Sequence, residues 1–292
     1  MNLQNIISGI DQVDPEVYDR LDTRRKAMKK FANFSGKVAL ASLPLAIGSM
    51  FKTAYGQTVP AGVIGVLNFA LTLEYLEAEF YNNIVGSPGY LTGSAANQAA
   101  LTKIRNDENA HVTFLRGAIT AAGGVPVPKP TFDFTAGNGS GTGPFAGYLA
   151  NYAVQLAMAQ DFEDTGVRAY KGQATALQGS RPHLTAALNI HSVEARHAAH
   201  IRKIRRELDA AIPASQKPLK PWITLNFSGI DFPPAQAAIN PSYAGEELTT
   251  QATVNIVGLG GNAFINDRAA SESFDEPLTM AQVIAIVDPF IV

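Results

Sequence analysis

The sequence predicts an all-α core, a four-helix bundle with a long connection between its second and third helices, followed by a mixed and irregular carboxy-terminal extension. Four stretches between residues 61 and 211 have apolar residues at helical spacing. Residues 123–144 are rich in Gly, Pro and Thr and have no such periodicity, which predicts a long connection. Five prolines then break any long helix: Pro218, Pro221, Pro233, Pro234 and Pro241.

The first two helices are predicted to form a hairpin. The first begins near Ala61 and ends near Gly86, and the second begins after Ser94, a suitable N-cap, and ends at the Gly123–Gly124 pair. The third is predicted from Pro144 to Leu177 and the fourth from Arg181 to Ala211. The connection of residues 123–144, at about 3.3 Å per residue, is long enough to cross a bundle whose helices are about 40 Å long.

Glu108 and His111 lie three residues apart in the second predicted helix. At about 100° per residue their side chains point about 60° apart, so one helix can aim both at a single point. Apolar residues lie within about 40° of Glu108, which places the pair in the buried stripe. These residues are Leu101, Ile104, Leu115 and Ile119.

Each of the other three helices carries an inward acid of the same kind. The fourth repeats the E-x-x-H pattern, while the first and third have a lone Glu followed seven residues later by Tyr. The chain order is therefore Glu, E-x-x-H, Glu, E-x-x-H, an internal repeat of two hairpins. The residues are Glu74 with Tyr81, Glu163 with Tyr170, and Glu194 with His197.

The repeat bears on one ambiguous position. Glu77 lies about 60° from Glu74 on the same helix and is an alternative ligand. Its counterpart in the third helix is Gly166, whereas Glu74 corresponds to Glu163. The repeat therefore favours Glu74, with Glu77 as a fallback ligand or as a neighbour that tunes the site.

Four carboxylates in an apolar interior would cost several kcal/mol each without compensation. Two divalent cations would compensate them, and Glu with His is a ligand mixture that suits iron or manganese, with zinc as an alternative. A single E-x-x-H is usually a solvated pair. Two such pairs and two inward Glu in repeat order predict a dinuclear metal site.

This ligand set resembles that of the ferritin-like superfamily in residue type, order and spacing. The stretches LNFALTLEYLEAEFYNNIV and IHSVEARHAAHIRKIR are similar to bacterial ferritin-like proteins called desiccation-related proteins. The resemblance extends from about Val63 to Ile212. It implies a ferritin-like bundle with two metals held by six ligands: Glu74, Glu108, His111, Glu163, Glu194 and His197.

Several neighbouring residues have two interpretations. Tyr81 and Tyr170 either donate hydrogen bonds to ligand carboxylates or pass electrons to the metals, or they only fill core volume. Asp107 either orients a metal-bound imidazole or is a solvated acid. His191 and His200 do not complete the pattern, so we interpret them as surface or partly buried histidines.

Composition excludes several classes of function. The chain has 292 residues, 46% hydrophobic and 16% charged, with a net charge of -2, which argues against a nucleic-acid binder. It has no Cys, so disulfides and thiolate chemistry are excluded and redox chemistry would need a metal or cofactor. A basic cluster is interpreted as favourable charge near a helix C-terminus: Arg196, Arg202, Lys203, Arg205 and Arg206.

The first 57 residues resemble a twin-arginine export signal. TRRKAMK at residues 23–29 precedes an apolar run at residues 38–50, with Ala27 and Met28 where the signal usually has Phe and Leu. The run is shorter than the roughly 20 residues that span a bilayer, so membrane contact is expected only through the signal. An amphipathic helix retained in the mature fold is the alternative.

We therefore expect an export signal at residues 1–57, a ferritin-like bundle at 58–212, an extension at 213–292 that packs on the bundle, and a periplasmic or cell-envelope location. In the extension, residues 222–227 and 249–257 are predicted to be extended, and residues 263–274 and 279–287 helical. The FDEPLT stretch at residues 274–279 also resembles tails of the desiccation-related family.

The expected function is redox chemistry with oxygen or peroxide in stress protection, of the ferroxidase, peroxidase or manganese-catalase type. The alternative is a non-catalytic structural or binding protein of the cell envelope that uses the bundle as a scaffold. The sequence also allows a homo-oligomer. A ferritin storage cage is less favoured, because the extension could obstruct the usual assembly contacts.

Overall fold

The computed structural model describes residues 61–209 and 211–292. Four long helices form the predicted all-α core, and they pair as two hairpins, α1 with α2 and α3 with α4. The long connection joins the hairpins, as predicted for this fold. The helices are α1 (Ala61–Ile84), α2 (Ala95–Ala121), α3 (Tyr152–Gln173) and α4 (Arg181–Leu208).

The first hairpin has the predicted termini. The Ser94 hydroxyl accepts a hydrogen bond from the amide of Asn97, which caps α2, and α2 ends just before Gly123, whose φ is 81°. One short helix, Pro88–Leu91, lies in the link between α1 and α2 and is capped by Ser87. Local signals therefore set these boundaries.

The predicted start of the third helix was wrong. The prediction placed it at Pro144, but α3 begins at Tyr152. Gly147 has a left-handed backbone (φ 80°), which no α-helix continues through, and residues 148–150 form a separate 3-10 turn. Asn151 then caps the helix by accepting from the amide of Val154.

The last helix of the bundle ends earlier than predicted. It begins at Arg181 as expected but stops at Leu208 rather than Ala211. Asp209 has φ 48°, a left-handed conformation that terminates the helix before Pro213 is reached.

The long connection is held by one buried acid. Asp133 accepts hydrogen bonds from the amides of Thr135, Gly139 and Gly141, which folds the Gly-rich segment around its carboxylate. Phe132 forms a β-bridge with Ile291 at the end of the chain. The connection therefore contacts the carboxy-terminal extension.

The extension contains only short elements. Strands β1 (Thr250–Gln251) and β2 (Val254–Asn255) form an antiparallel hairpin within the segment predicted to be extended. The predicted helix at residues 263–274 is shorter, Asp267–Ser271. The last predicted helix is confirmed as Met280–Val287, with Thr279 and Gln282 forming a capping box. Gln236–Ile239 is a further short helix.

Apolar residues of the extension share a core with the bundle. Phe290 is 1% exposed, and its ring centroid lies 5.1 Å from that of Phe162 on α3. Other residues of the extension belong to the same buried cluster: Ile223, Ile230, Ile239, Tyr243, Leu278, Val283, Ile286 and Val287. The extension therefore covers an apolar face of the bundle.

Buried arginines also join the bundle and the extension. The basic cluster lies near the C-terminus of α4, as interpreted, with Arg205 and Arg206 in its last turn, and Arg202 and Arg205 are in addition buried. Arg202 forms an ion pair with Asp164, and Arg205 donates to Gln160 and to the carbonyl of Gly229. These guanidinium groups need buried acceptors, and the extension supplies part of them.

Arg168 of α3 has the same role. It pairs with Glu246 at 2.7 Å and donates to the carbonyls of Ser242, Ala244 and Glu276. Both partners of this ion pair are 1% exposed. The ion pair therefore lies inside the interface between bundle and extension.

No helix among residues 61–209 and 211–292 is long and apolar enough to cross a membrane. The predicted export signal, including Arg24 and Arg25, the apolar run at residues 38–50 and the small residues before position 58, lies outside the described residues.

Candidate metal centre

Six predicted side chains meet in the middle of the bundle. Each helix contributes from its buried stripe, and all four carboxylates are fully buried, while the two imidazoles are almost so. The helical spacing explains this convergence, because each pair of residues three apart shares one face of its helix. The residues are Glu74 of α1, Glu108 and His111 of α2, Glu163 of α3, and Glu194 and His197 of α4.

The six residues form two overlapping groups, in each of which one ligand atom per residue lies within 4.8 Å of the others. Glu108 and Glu194 belong to both groups. The first group adds Glu74 and His111, and the second adds Glu163 and His197. Two adjoining groups that share two carboxylates fit the ligand arrangement of a dinuclear site.

The chemistry of this cluster fits cations. Nδ1 of His111 lies 3.1 Å from Oε2 of Glu74, 3.1 Å from Oε2 of Glu108 and 3.2 Å from Oε1 of Glu194. One ring nitrogen cannot satisfy three carboxylates. Nδ1 of His197 is likewise shared, because it lies 2.8 Å from Oε1 of Glu108 and 3.2 Å from Oε2 of Glu163. Oε2 of Glu194 has no hydrogen-bond partner. Cations would supply the missing partners.

The electrostatics lead to the same conclusion. Burial and repulsion by neighbouring carboxylates raise the pKa of Glu108 and of Glu194 to about 8. Burial disfavours the imidazolium form of His111, but attraction by Glu74 outweighs it and raises the pKa of His111. Without metal the cluster therefore retains protons, and cations would replace them.

Tyr81 and Tyr170 each donate a hydrogen bond to the glutamate of the other hairpin. The Tyr81 hydroxyl of α1 donates to Oε1 of Glu163 at 2.5 Å, and the Tyr170 hydroxyl of α3 donates to Oε1 of Glu74 at 2.5 Å. Each tyrosine therefore contacts the glutamate of the other hairpin. One oxygen of each glutamate is fixed in this way, and the other remains for the site.

Asp107 lies behind His197. Its Oδ2 is 3.3 Å from Nε2 of His197, and it also pairs with Lys103. Although burial opposes it, hydrogen bonds from His197 and Lys103 lower the pKa of Asp107 to about 2. An ionised carboxylate here directs Nδ1 of His197 towards the centre. His191 instead contacts the carbonyl of Val167 at 3.0 Å, and His200 is exposed, so neither belongs to the groups.

The structure also locates Glu77, the fallback ligand of the sequence analysis. Glu77 is 3% exposed and borders the site, although it is not in either group. A Cβ at Gly166 would lie 3.1 Å from Oε1 of Glu77 and 3.2 Å from Oε2 of Glu194. In the sequence, the signal for this contact is Gly166, a glycine inside a helix at the repeat position that corresponds to Glu77.

Comparison with known proteins agrees with the geometry. No curated protein and no solved structure matches the chain. A family model described as the ferritin-like domain matches residues 62–207, half of the chain. The chain therefore belongs to the ferritin-like domain family.

Proposed function

We propose that this protein holds two iron or manganese ions in its bundle and uses them for redox chemistry with oxygen or peroxide in stress protection. One observation carries the proposal, namely two overlapping ligand groups with more buried carboxylate oxygens than hydrogen-bond donors. Glu74 and His111 would hold one ion, Glu163 and His197 the other, and Glu108 and Glu194 both. A carboxylate-rich set with two imidazoles favours iron or manganese over zinc.

When bound, these metals would supply electron transfer to or from the substrate. The protein's own groups set the conditions. Tyr81 and Tyr170 hold Glu163 and Glu74 in place, and the surrounding core excludes bulk water from the carboxylates. Tyrosines this close to the ligands also support our proposal that they pass electrons.

The size of a cavity that shares Tyr170 with the site supports a small substrate. A cavity of about 20 Å³ lies at the end of the bundle, lined mainly by apolar residues of all four helices, including Leu67, Ala70, Leu115 and Ala187. Tyr170, which donates to Glu74, lines the same cavity. Such a volume holds about one water-sized molecule, which suits oxygen or peroxide.

The amino-terminal sequence supports export. We propose that residues 1–57 direct the protein through the twin-arginine route to the periplasm or cell envelope, that residues 58–212 are the bundle, and that it is a desiccation-related protein. Replacement of Arg24 and Arg25 by Lys should leave the protein in the cytoplasm, as measured by cell fractionation. Normal export of this variant would reject the route. Size-exclusion chromatography with light scattering tests whether the exported protein is a homo-oligomer.

The central experiment measures metal and turnover together. The protein loaded with iron or manganese should contain two ions per chain and consume oxygen or peroxide. Glu108→Ala with Glu194→Ala should abolish both, because each ion loses two shared ligands. A double variant of exposed acids, Glu207→Ala with Glu247→Ala, is the matched control. Full metal content without any turnover would reject the redox function.

The same variants test the alternative, a non-catalytic scaffold of the cell envelope. Its support is the buried apolar core that bundle and extension share, which a metal could stabilise without any reaction. If the Glu108→Ala and Glu194→Ala variant unfolds and the loaded wild type is inert, the metal is structural. If the variant stays folded but loses turnover, the protein is an oxidoreductase.

A further inference from the structure

Glu77 is a buried acid that the six-ligand site does not use. It lies on α1 three residues after Glu74, and only 3% of its surface is exposed. Its Oε2 has no hydrogen-bond partner. A carboxylate oxygen in that state is costly, so the position needs a specific reason.

The surroundings of Glu77 are acidic. Burial raises the pKa of Glu77, and repulsion from the neighbouring carboxylates raises it further; these are Glu194, Glu108, Glu74 and Glu163. Within residues 61–209 and 211–292, no ion pair includes Glu77. The described part of the chain therefore offers this carboxylate no charged partner, and a cation in the adjacent site would provide one.

Gly166 leaves the space that this carboxylate occupies. Any other side chain there would place a Cβ 3.1 Å from Oε1 of Glu77 and 3.2 Å from Oε2 of Glu194. Both oxygens thus border the same gap, from α1 and α4, with the backbone of α3 closing it. Glycine weakens a helix interior, so its presence in the middle of α3 is consistent with a requirement for this space.

We propose that Glu77 is a seventh metal-binding residue, reaching the dinuclear centre beside Glu194 through the space left by Gly166. This inference rests on the proposed function, because it requires a metal in the site. Four ligand carboxylates balance the charge of two divalent cations. A fifth adds one negative charge, which favours the more highly charged, oxidised ions and lowers their reduction potential.

The experiment compares four forms of the full chain by calorimetric titration with Mn²⁺ and by thermal unfolding with and without the ion. They are the wild type, Glu77→Gln, Gly166→Ala and the control Glu79→Gln, which removes a partly exposed acid of α1 that pairs with Lys129. We expect the wild type and the control to bind two ions alike. Glu77→Gln and Gly166→Ala should bind at least one ion tenfold or more weakly.

The sign of the stability change separates a ligand from a structural acid. Without metal, Glu77→Gln should raise the unfolding temperature, because it removes a buried acid whose Oε2 has no hydrogen-bond partner. Addition of Mn²⁺ should then raise the unfolding temperature of Glu77→Gln less than it raises that of the wild type. Glu77→Asp keeps the charge but shortens the reach, so it too should bind Mn²⁺ more weakly, and it provides a second variant if Glu77→Gln does not fold.

The outcomes distinguish the two proposals. If the wild type, Glu77→Gln and Glu77→Asp all bind two ions with equal affinity, Glu77 is not a metal ligand. The proposal of a dinuclear site would then still stand. A wild type that binds no Mn²⁺ or Fe²⁺ would overturn both. For the iron-loaded forms, a higher midpoint potential in Glu77→Gln than in the control supports the claim that the charge of Glu77 lowers the reduction potential. An unchanged potential contradicts that claim.

Discussion

The hydroxyl of Tyr81 lies 2.5 Å from Oε1 of Glu163, although the two residues belong to different hairpins of the bundle. The counterpart contact, from Tyr170 to Oε1 of Glu74, has the same length. The two hydrogen bonds cross the bundle in opposite directions. They therefore link the hairpins at the level of the site and fix the two glutamates that each belong to only one ligand group.

Removal of either hydroxyl should weaken metal binding. In Tyr81→Phe the released oxygen of Glu163 loses a hydrogen bond to a charged group, worth about 1.5–3 kcal/mol, so Mn²⁺ affinity should fall about 10- to 100-fold. Calorimetric titration measures this change. Tyr90→Phe, which removes a hydroxyl bonded to the carbonyl of Gln98, is the control and should bind Mn²⁺ normally. Equal affinities would contradict the positioning role.

The ion pair of Arg202 with Asp164 should be important for stability. Both side chains are buried, so Arg202→Ala leaves a carboxylate without its charged partner, which typically costs about 3–5 kcal/mol. Urea denaturation followed by circular dichroism measures the loss. Arg196→Ala on the exposed side of the same helix should change stability by less than about 0.5 kcal/mol. Similar losses in both variants would show that the buried pair has no special role.

Phe290 should contribute strongly to the attachment of the extension. It is 1% exposed and packs against Phe145 and Phe162, so Phe290→Ala should lower the unfolding free energy by about 3–5 kcal/mol. Phe264 is 90% exposed, and Phe264→Ala should have almost no effect. Denaturant titrations of the two variants provide the comparison. A small loss in Phe290→Ala would mean that the extension is not part of the cooperative core.

The Glu246 carboxyl should make stability depend on pH. Burial raises its pKa from 4.5 to about 7 despite the attraction of Arg168. Between these values the folded state binds more protons than the unfolded state, so the contribution of Glu246 to stability falls as pH rises from about 4.5 to about 7. Glu246→Gln should remove this part of the slope.

Unfolding free energies of wild type and Glu246→Gln at several pH values test this prediction. Glu247→Gln, an exposed acid next in sequence, is the control and should keep the wild-type slope. A difference between wild type and Glu246→Gln that is the same at pH 4.5 and pH 7.5 would refute the shifted pKa.

Prediction from sequence succeeded where local spacing decides the result. Ser94 and Gly123 set the two ends of α2, because their capping and backbone preferences act within a few residues. The prediction failed at the start of α3. Pro144 suggested a start there, but the left-handed Gly147 and the cap at Asn151 make the helix begin at Tyr152. That choice depends on how the long connection packs, which is not a local property.

The sequence by itself determined which residues could form the site. A spacing of three places Glu108 with His111, and Glu194 with His197, on single helical faces, because the geometry of a helix is the same in any context. The apolar neighbours of these pairs determined that those faces are buried.

The tertiary structure alone decided the partners of these residues. The crosswise bonds from Tyr81 and Tyr170, the burial of Arg202 under the extension, and the space that Gly166 leaves for Glu77 all join segments far apart in the chain. Such contacts depend on the relative position of packed helices. Helical periodicity determines which way a side chain faces, but it does not determine what lies opposite.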